Sequence, residues 1–242
     1  MLNTIGQFDG LAHFEWLDRF KTGLGLKKRP RIISFSNNPY LQNSNLLGVL
    51  FDNISNQVVI KLQYHTFTDK ETREICFHPY LLKQYNNRWY LIGAADDDGK
   101  ILNFALDRID SVTALPEMKY KPCNEDLADR FEDIIGVTLY EDRDIEHILF
   151  WVSNRSKDYV GTKPIHGSQC QYKNEKDEEF RRQYPSLNEG AFFSIDCIPN
   201  YELIRELCSF GKDLLVMEPK SIQDDVFHHT QQMYEDYLGI RT

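Results

Sequence analysis

Residues 77–115, FHPYLLKQYNNRWYLIGAADDDGKILNFALDRIDSVTAL, decide the fold. The stretch reads as a meander of short strands. Leu81 to Tyr85 is an apolar-polar run, and Asn86-Asn87 interrupts it. Asn tolerates the positive φ of a two-residue hairpin turn better than any other non-glycine residue. Arg88 to Ala95 is an aromatic-rich strand whose Gly93 marks a bulge or bend. Asp96 to Gly99 forms a second turn, Ile101 to Leu106 a third strand and Ile109 to Leu115 a fourth. Strands at roughly ten-residue spacing with polar turns between them predict a small antiparallel barrel or sandwich.

Upstream, Leu46, Leu47, Leu50, Phe51 and Ile54 give one helical stripe over 45–55, with Ser44 or Asn45 as cap. Val58 to Tyr64 is a strand with Ile60, Leu62 and Tyr64 on one face. Thr68 to Glu71 is a turn, and Arg73 to Phe77 leads back into the meander. Residues 1–43 read as a helical connector: Leu11, Phe14, Leu17, Phe20 and Leu24 recur at helical spacing before a basic link at Lys27 to Arg31.

Downstream of a linker at Met118 to Asn124, residues 124–242 predict an α+β two-layer domain. Its helices are Glu125 to Ile135, Tyr201 to Phe210 capped by Asn200, and a last one opened by Pro219, with Ile222, Val226, Met233 and Tyr237 inward and Gly239 at its end. Its strands are Val137 to Tyr140, His147 to Val152, Phe192 to Cys197 and Asp213 to Glu218, with a further strand near His166 to Tyr172 and a helix near Glu178 to Tyr184.

His78-Pro79-Tyr80, Arg88-Trp89-Tyr90-Leu91 and Phe104 to Ile109, in this order and spacing, resemble the WYL domain, named for the triplet that stands here at 89–91. Gly211, Val216 to Pro219 and the closing helix are similar to the C-terminal extension that follows the domain in WYL-type transcriptional regulators. The resemblance implies an SH3- or Sm-like barrel over 44–117, followed by the extension. It further implies a bacterial regulator in which the barrel binds an effector, nucleic-acid strands among the candidates, and the chain forms a homodimer. In such regulators a helix-turn-helix domain precedes the connector. Residues 1–43 leave no room for one, so duplex DNA would be met only through a domain this sequence lacks. A basic residue usually stands between Phe104 and Leu106. Ala105 stands here, which implies a weaker or different anion site if that residue contacts the ligand.

The expected effector site gathers Tyr64, Arg73, His78, Tyr80, Arg88, Tyr90 and Arg108 from neighbouring strands, Arg and His holding an anion and Tyr stacking or hydrogen-bonding. Trp89 and Leu91 share one face and read as core, and Asp107-Arg108 also reads as a pair closing the barrel.

A formal net charge of −9 excludes a broad phosphate-neutralising surface. The barrel segment Gln57 to Pro116 carries seven Lys+Arg against eight Asp+Glu. No signal pattern opens the chain, and no apolar run reaches the roughly 18 residues of a membrane span. Five scattered cysteines without metal spacing place the protein in the cytoplasm with reduced thiols. No nucleophile-elbow, zinc-protease, Walker or dinucleotide motif is present, so neither catalysis nor a cofactor is expected. His228-His229 point about 100° apart on a helix and would not chelate one metal. Asp96 to Asp98 lacks the later ligands of a calcium loop. The alternative to effector sensing is a stand-alone protein-interaction module without a small ligand.

Overall fold

The computed structural model describes residues 43, 45–67, 72–140, 142–187 and 189–241. The connector helix and the expected turn at 68–71 lie outside the described residues.

Helix α1 (Leu46–Ser55) leads five antiparallel strands: β1 (Val59–Tyr64), β2 (Arg73–Tyr85), β3 (Arg88–Ala95), β4 (Ile101–Ala105) and β5 (Ile109–Leu115). Their order is β4-β3-β2-β1-β5. β4 and β5 share no ladder, so the expected barrel is an open, bent sheet among the described residues; a 3₁₀ turn at Leu106–Arg108 joins its two edges. Leu50, Ile60, Leu62, Phe77, Leu91 and Ile109 pack with Tyr64 and Phe104 against α1 on the inner face, and Trp89 joins their margin. Phe51, expected on the inward stripe of α1, is 60% exposed. Leu46, Leu47 and Leu50 already fill that side, and Asn53 is buried instead, donating to the Val49 carbonyl at 2.7 Å.

Residues 73–77 and the expected run 81–85 are one strand: β2 pairs with β1 from Arg73 to Phe77 and with β3 from Phe77 to Tyr85. The ladder slips between Pro79 and Leu81, opposite Gly93. At Gly93 a Cβ would collide with the His78 carbonyl oxygen and stand 2.6 Å from the Phe77 ring. Asn86 and Asn87 both take positive φ, 50° and 60°, as the tight turn requires.

Past the linker, helix α2 is only Leu127–Arg130, capped by Asp126, whose carboxylate accepts from Ala128 N–H at 2.9 Å. The expected helix to Ile135 instead dissolves into turns, although Leu127, Phe131 and Ile134 are buried against Ile92 and Leu81 on the outer face of the first sheet. The expected strand at 137–140 does not form. Side chains satisfy its backbone: Asn103 donates to the Val137 carbonyl at 2.6 Å and Asn200 to the Thr138 carbonyl at 3.0 Å.

The second sheet has order β7-β8-β6-β9, all antiparallel, from β6 (Glu146–Val152), β7 (Cys170–Gln171), β8 (Ala191–Cys197) and β9 (Leu214–Glu218). Short helix α3 (Lys157–Thr162), α5 (Tyr201–Ser209) and the root of α6 (Lys220–Arg241) cover one face through Val160, Leu203, Leu207 and Ile222. Helix α4 (Glu175–Gln183) lays Phe180 against Phe192 on the other face, their ring centroids 5.3 Å apart. Asn200 caps α5 as expected, accepting from Leu203 N–H at 2.9 Å. Of the apolar residues expected inward on α6, only Ile222 and Val226 turn toward the sheet. Met233 and Tyr237, expected on the buried face, are 54% and 58% exposed, because the helix runs on to Arg241, past the sheet that covers its root. No described helix is long and apolar enough to cross a membrane.

Candidate effector site

The 3₁₀ turn at the open end of the first sheet presents two charged side chains outward. Leu106 and Ile109, both buried, anchor the turn, and Asn43 straps it by donating to their carbonyls at 3.2 and 2.8 Å. The carbonyl of Arg108 accepts the His65 N–H at 3.2 Å, tying the turn to the end of β1.

Fixed in this way, the Arg108 guanidinium lies 5.2 Å from the Tyr64 ring centroid and 4.9 Å from that of Phe67. Arg88, just past the hairpin turn, covers Phe67 from 5.9 Å and pairs with Asp107 at 3.2 Å. One exposed aromatic ring thus sits within reach of two guanidinium groups. The Arg88–Asp107 pair is partly solvated and contributes about 0.2–1 kcal/mol. Asp107 Oδ1 and Arg108 Nε are buried atoms with no hydrogen-bond partner among the described residues. Burial pushes the Tyr64 phenol above its ordinary range, and the adjacent Arg108 charge opposes part of that rise. A guanidinium stacked on aromatic rings keeps its N–H fork free for an oxyanion, and an exposed ring beside it offers a surface for a planar base.

Of the seven expected residues, Tyr64, Arg88 and Arg108 meet at this face. Arg73 stands exposed across the ladder from Tyr64, and Tyr90 sits on β3 opposite Ala105, close enough to act electrostatically on Tyr64. Ala105, where the sequence resemblance implies a cation, is fully buried.

His78 and Tyr80 do not join them. His78 is fully buried: its Nδ1 accepts the Lys121 N–H at 3.1 Å and its Nε2 faces Asp96 at 3.0 Å. An accepting Nδ1 places the ring proton on Nε2, so the imidazole is occupied by structure rather than open to an anion. The Tyr80 hydroxyl donates to the Lys121 carbonyl at 2.8 Å. The bulge opposite Gly93 turns both residues toward the linker. There Tyr120 donates to the Pro79 carbonyl at 2.7 Å, its phenol pushed up to about 12 by burial. Lys121 closes the latch with a 2.7 Å ion pair to Asp96, whose carboxyl it holds below the usual range together with His78.

Sequence reasoning missed Phe67 and the latch. The signal for Phe67 was an aromatic in a polar HTFTDK segment just after a strand end. Lys121 and Tyr120 carried none, because a linker gives no periodicity.

Burial raises the Tyr85 phenol, and Glu206, Glu202 and Arg205 of α5 act on it electrostatically. Among the described residues no group of three His, Cys, Asp or Glu could hold a metal ion.

Residues 45–114 match the family model of the WYL domain. No curated protein matches the chain. Among solved structures, the chain is similar to proteasome accessory factor B/C (PafBC) of Arthrobacter aurescens, with 12% identity and a TM-score of 0.31 over 79% of this chain and 27% of that one. It is also similar to a CRISPR Cas-related protein, with 12% identity and a TM-score of 0.46 over 78% of this chain and 50% of that one. This chain therefore spans about a quarter and a half of those two structures. The matched residues are those that carry α1, the five strands and the stacked arginines.

Proposed function

We propose that this chain is the effector-sensing and dimerisation part of a bacterial WYL-type transcriptional regulator, acting in the cytoplasm by binding and not by catalysis. Its effector is anionic and ring-bearing: a nucleotide or a short single strand of nucleic acid. The observation that carries this reading is the stack of Arg88 and Arg108 on the exposed ring of Phe67. Two neighbouring guanidinium groups, Arg88 also paired with Asp107, suit phosphate, and the ring suits a base.

Tyr85, at the start of the hairpin that bears Arg88, interacts electrostatically with Glu206, Glu202 and Arg205 of α5, which supports a coupling between effector binding and the C-terminal sheet. A state favoured by the effector would bias the arrangement of a homodimer, and through it a DNA-reading domain outside this sequence. Duplex DNA itself is a poor ligand for a surface of this charge.

Fluorescence anisotropy with a labelled oligothymidylate tests the reading. The wild type should bind, with affinity falling as salt rises. Phe67→Ala should weaken binding by about 1–3 kcal/mol, the range for loss of one base–aromatic stack. Equal binding by wild type and Phe67→Ala would remove this ring from the site.

A further inference from the structure

A deep apolar groove lies far in sequence from the arginine face. It measures about 920 Å³ and lies between α5, β9 and the root of α6, walled by Leu207, Leu214, Val216, Val226 and Phe227. Its rim is cationic on balance, with Arg205, Lys212 and Lys220 against one carboxylate, Asp224, which pairs with Lys220. A helix is about 10 Å across, so this volume holds roughly two helical turns.

The same helix that walls the groove overshoots it. From Phe227 to Ile240 every residue of α6 is exposed, a projection of about 20 Å at the helical rise. Its apolar side chains are not scattered. Phe227, Met233, Tyr234, Tyr237, Leu238 and Ile240 fall within one arc of about 160° at 3.6 residues per turn. Val226, Thr230 and Met233, which line the groove, lie on that arc, so the face that meets the groove at its root continues beyond it uncovered. An unsupported helix of this length is marginal in water, and a contiguous apolar face of this width marks a contact. Glu235 and Asp236 flank the arc on opposite sides, acidic where the groove rim is basic.

The helix cannot fill its own groove, because it is already one wall of it. We propose that the occupant is a second copy of this chain: the 233–240 end of α6 from each copy lies in the groove of the other, the two helices antiparallel about a two-fold axis. Glu235 and Asp236 then meet Arg205 and Lys212 of the other copy. A reciprocal contact of this kind closes on itself and stops at two chains. The inference rests on the homodimer reading and specifies its contact.

Sedimentation of the full chain tests it with two exposed positions. Leu238→Glu spoils the helix end, and Leu215→Glu spoils the groove. Each should weaken self-association about tenfold or more by placing a carboxylate against apolar surface, with circular dichroism unchanged. Mixing the two variants should restore a heterodimer in part, since one sound helix end then meets one sound groove. A wild-type dimer that survives both substitutions overturns the α6 exchange and leaves the homodimer standing. Loss of the dimer in Leu238→Glu alone, with no effect of Leu215→Glu, overturns the groove in favour of helix end against helix end. A wild type that is monomeric at all concentrations overturns the exchange and the homodimer together.

Discussion

Replacing Gly93 by Ala should destabilise the chain out of proportion to the one methyl group added. The added Cβ would collide with the carbonyl oxygen of His78 and stand 2.6 and 2.9 Å from two atoms of the Phe77 ring. The ring is fully buried in the inner core, and the carbonyl belongs to the backbone of β2, so neither neighbour yields cheaply. Overpacking a tight core costs about 1–3 kcal/mol. Relief by moving His78 would break its contacts with Lys121 N–H and Asp96, so the upper part of that range, about 3 kcal/mol, is expected. Gly48 is the control. It lies in α1 with nothing within 4 Å of an added Cβ, and Gly48→Ala should stabilise by about 0.5–1 kcal/mol through helix propensity. Urea unfolding followed by far-UV circular dichroism reads both midpoints. A Gly93→Ala midpoint equal to that of wild type would refute the close approach of β3 to the β2 bulge.

Asn200→Ala removes the α5 cap and strands the carbonyls of Ile135 and Thr138, and should cost about 2–3 kcal/mol in the same assay; a loss below about 0.5 kcal/mol would mean that water replaces the amide freely. The carboxyl of Asp96 is held low by Lys121 and then His78, so its contribution is present above the ordinary carboxylate pKa of about 4 and fades as the pH falls through the lower folded value. The stability gap between wild type and Asp96→Asn should therefore be full at neutral pH and shrink in acid, and a gap that is constant down to strongly acidic pH would show that the latch does not rely on this charge.

The first sheet was legible in the sequence because its signals are local. Asn86-Asn87 declared the hairpin, Gly93 declared the bulge, and the alternation of Ile60, Leu62 and Tyr64 declared the inner face. The second half was less legible where tertiary contacts override pattern. Leu127, Phe131 and Ile134 recur at helical spacing, yet they need only be buried, and turns achieve that as well as a helix. Val137 to Tyr140 looks like a strand, but Asn103, Glu202 and Asn200 take up its backbone. At the candidate site, residue type picked out Arg88, Arg108 and Tyr64, which the fold brings together. Type alone could not tell that His78 is buried, because that depends on a linker more than forty positions away. Nor could periodicity show that α6 outruns its sheet, since an apolar stripe reads the same whether its own fold or another chain covers it.

The central claim is that Arg88 and Arg108 hold an anion over the ring of Phe67. Calorimetric titration of the chain with nucleoside monophosphates and short oligothymidylates, repeated on Arg108→Ala, tests it most directly. The account predicts saturable binding by the wild type and a loss of about 1–3 kcal/mol in Arg108→Ala, the range for a charge-assisted hydrogen bond, with unfolding unchanged. No binding of either ligand class by the wild type, or binding by Arg108→Ala as tight as wild type, would contradict it.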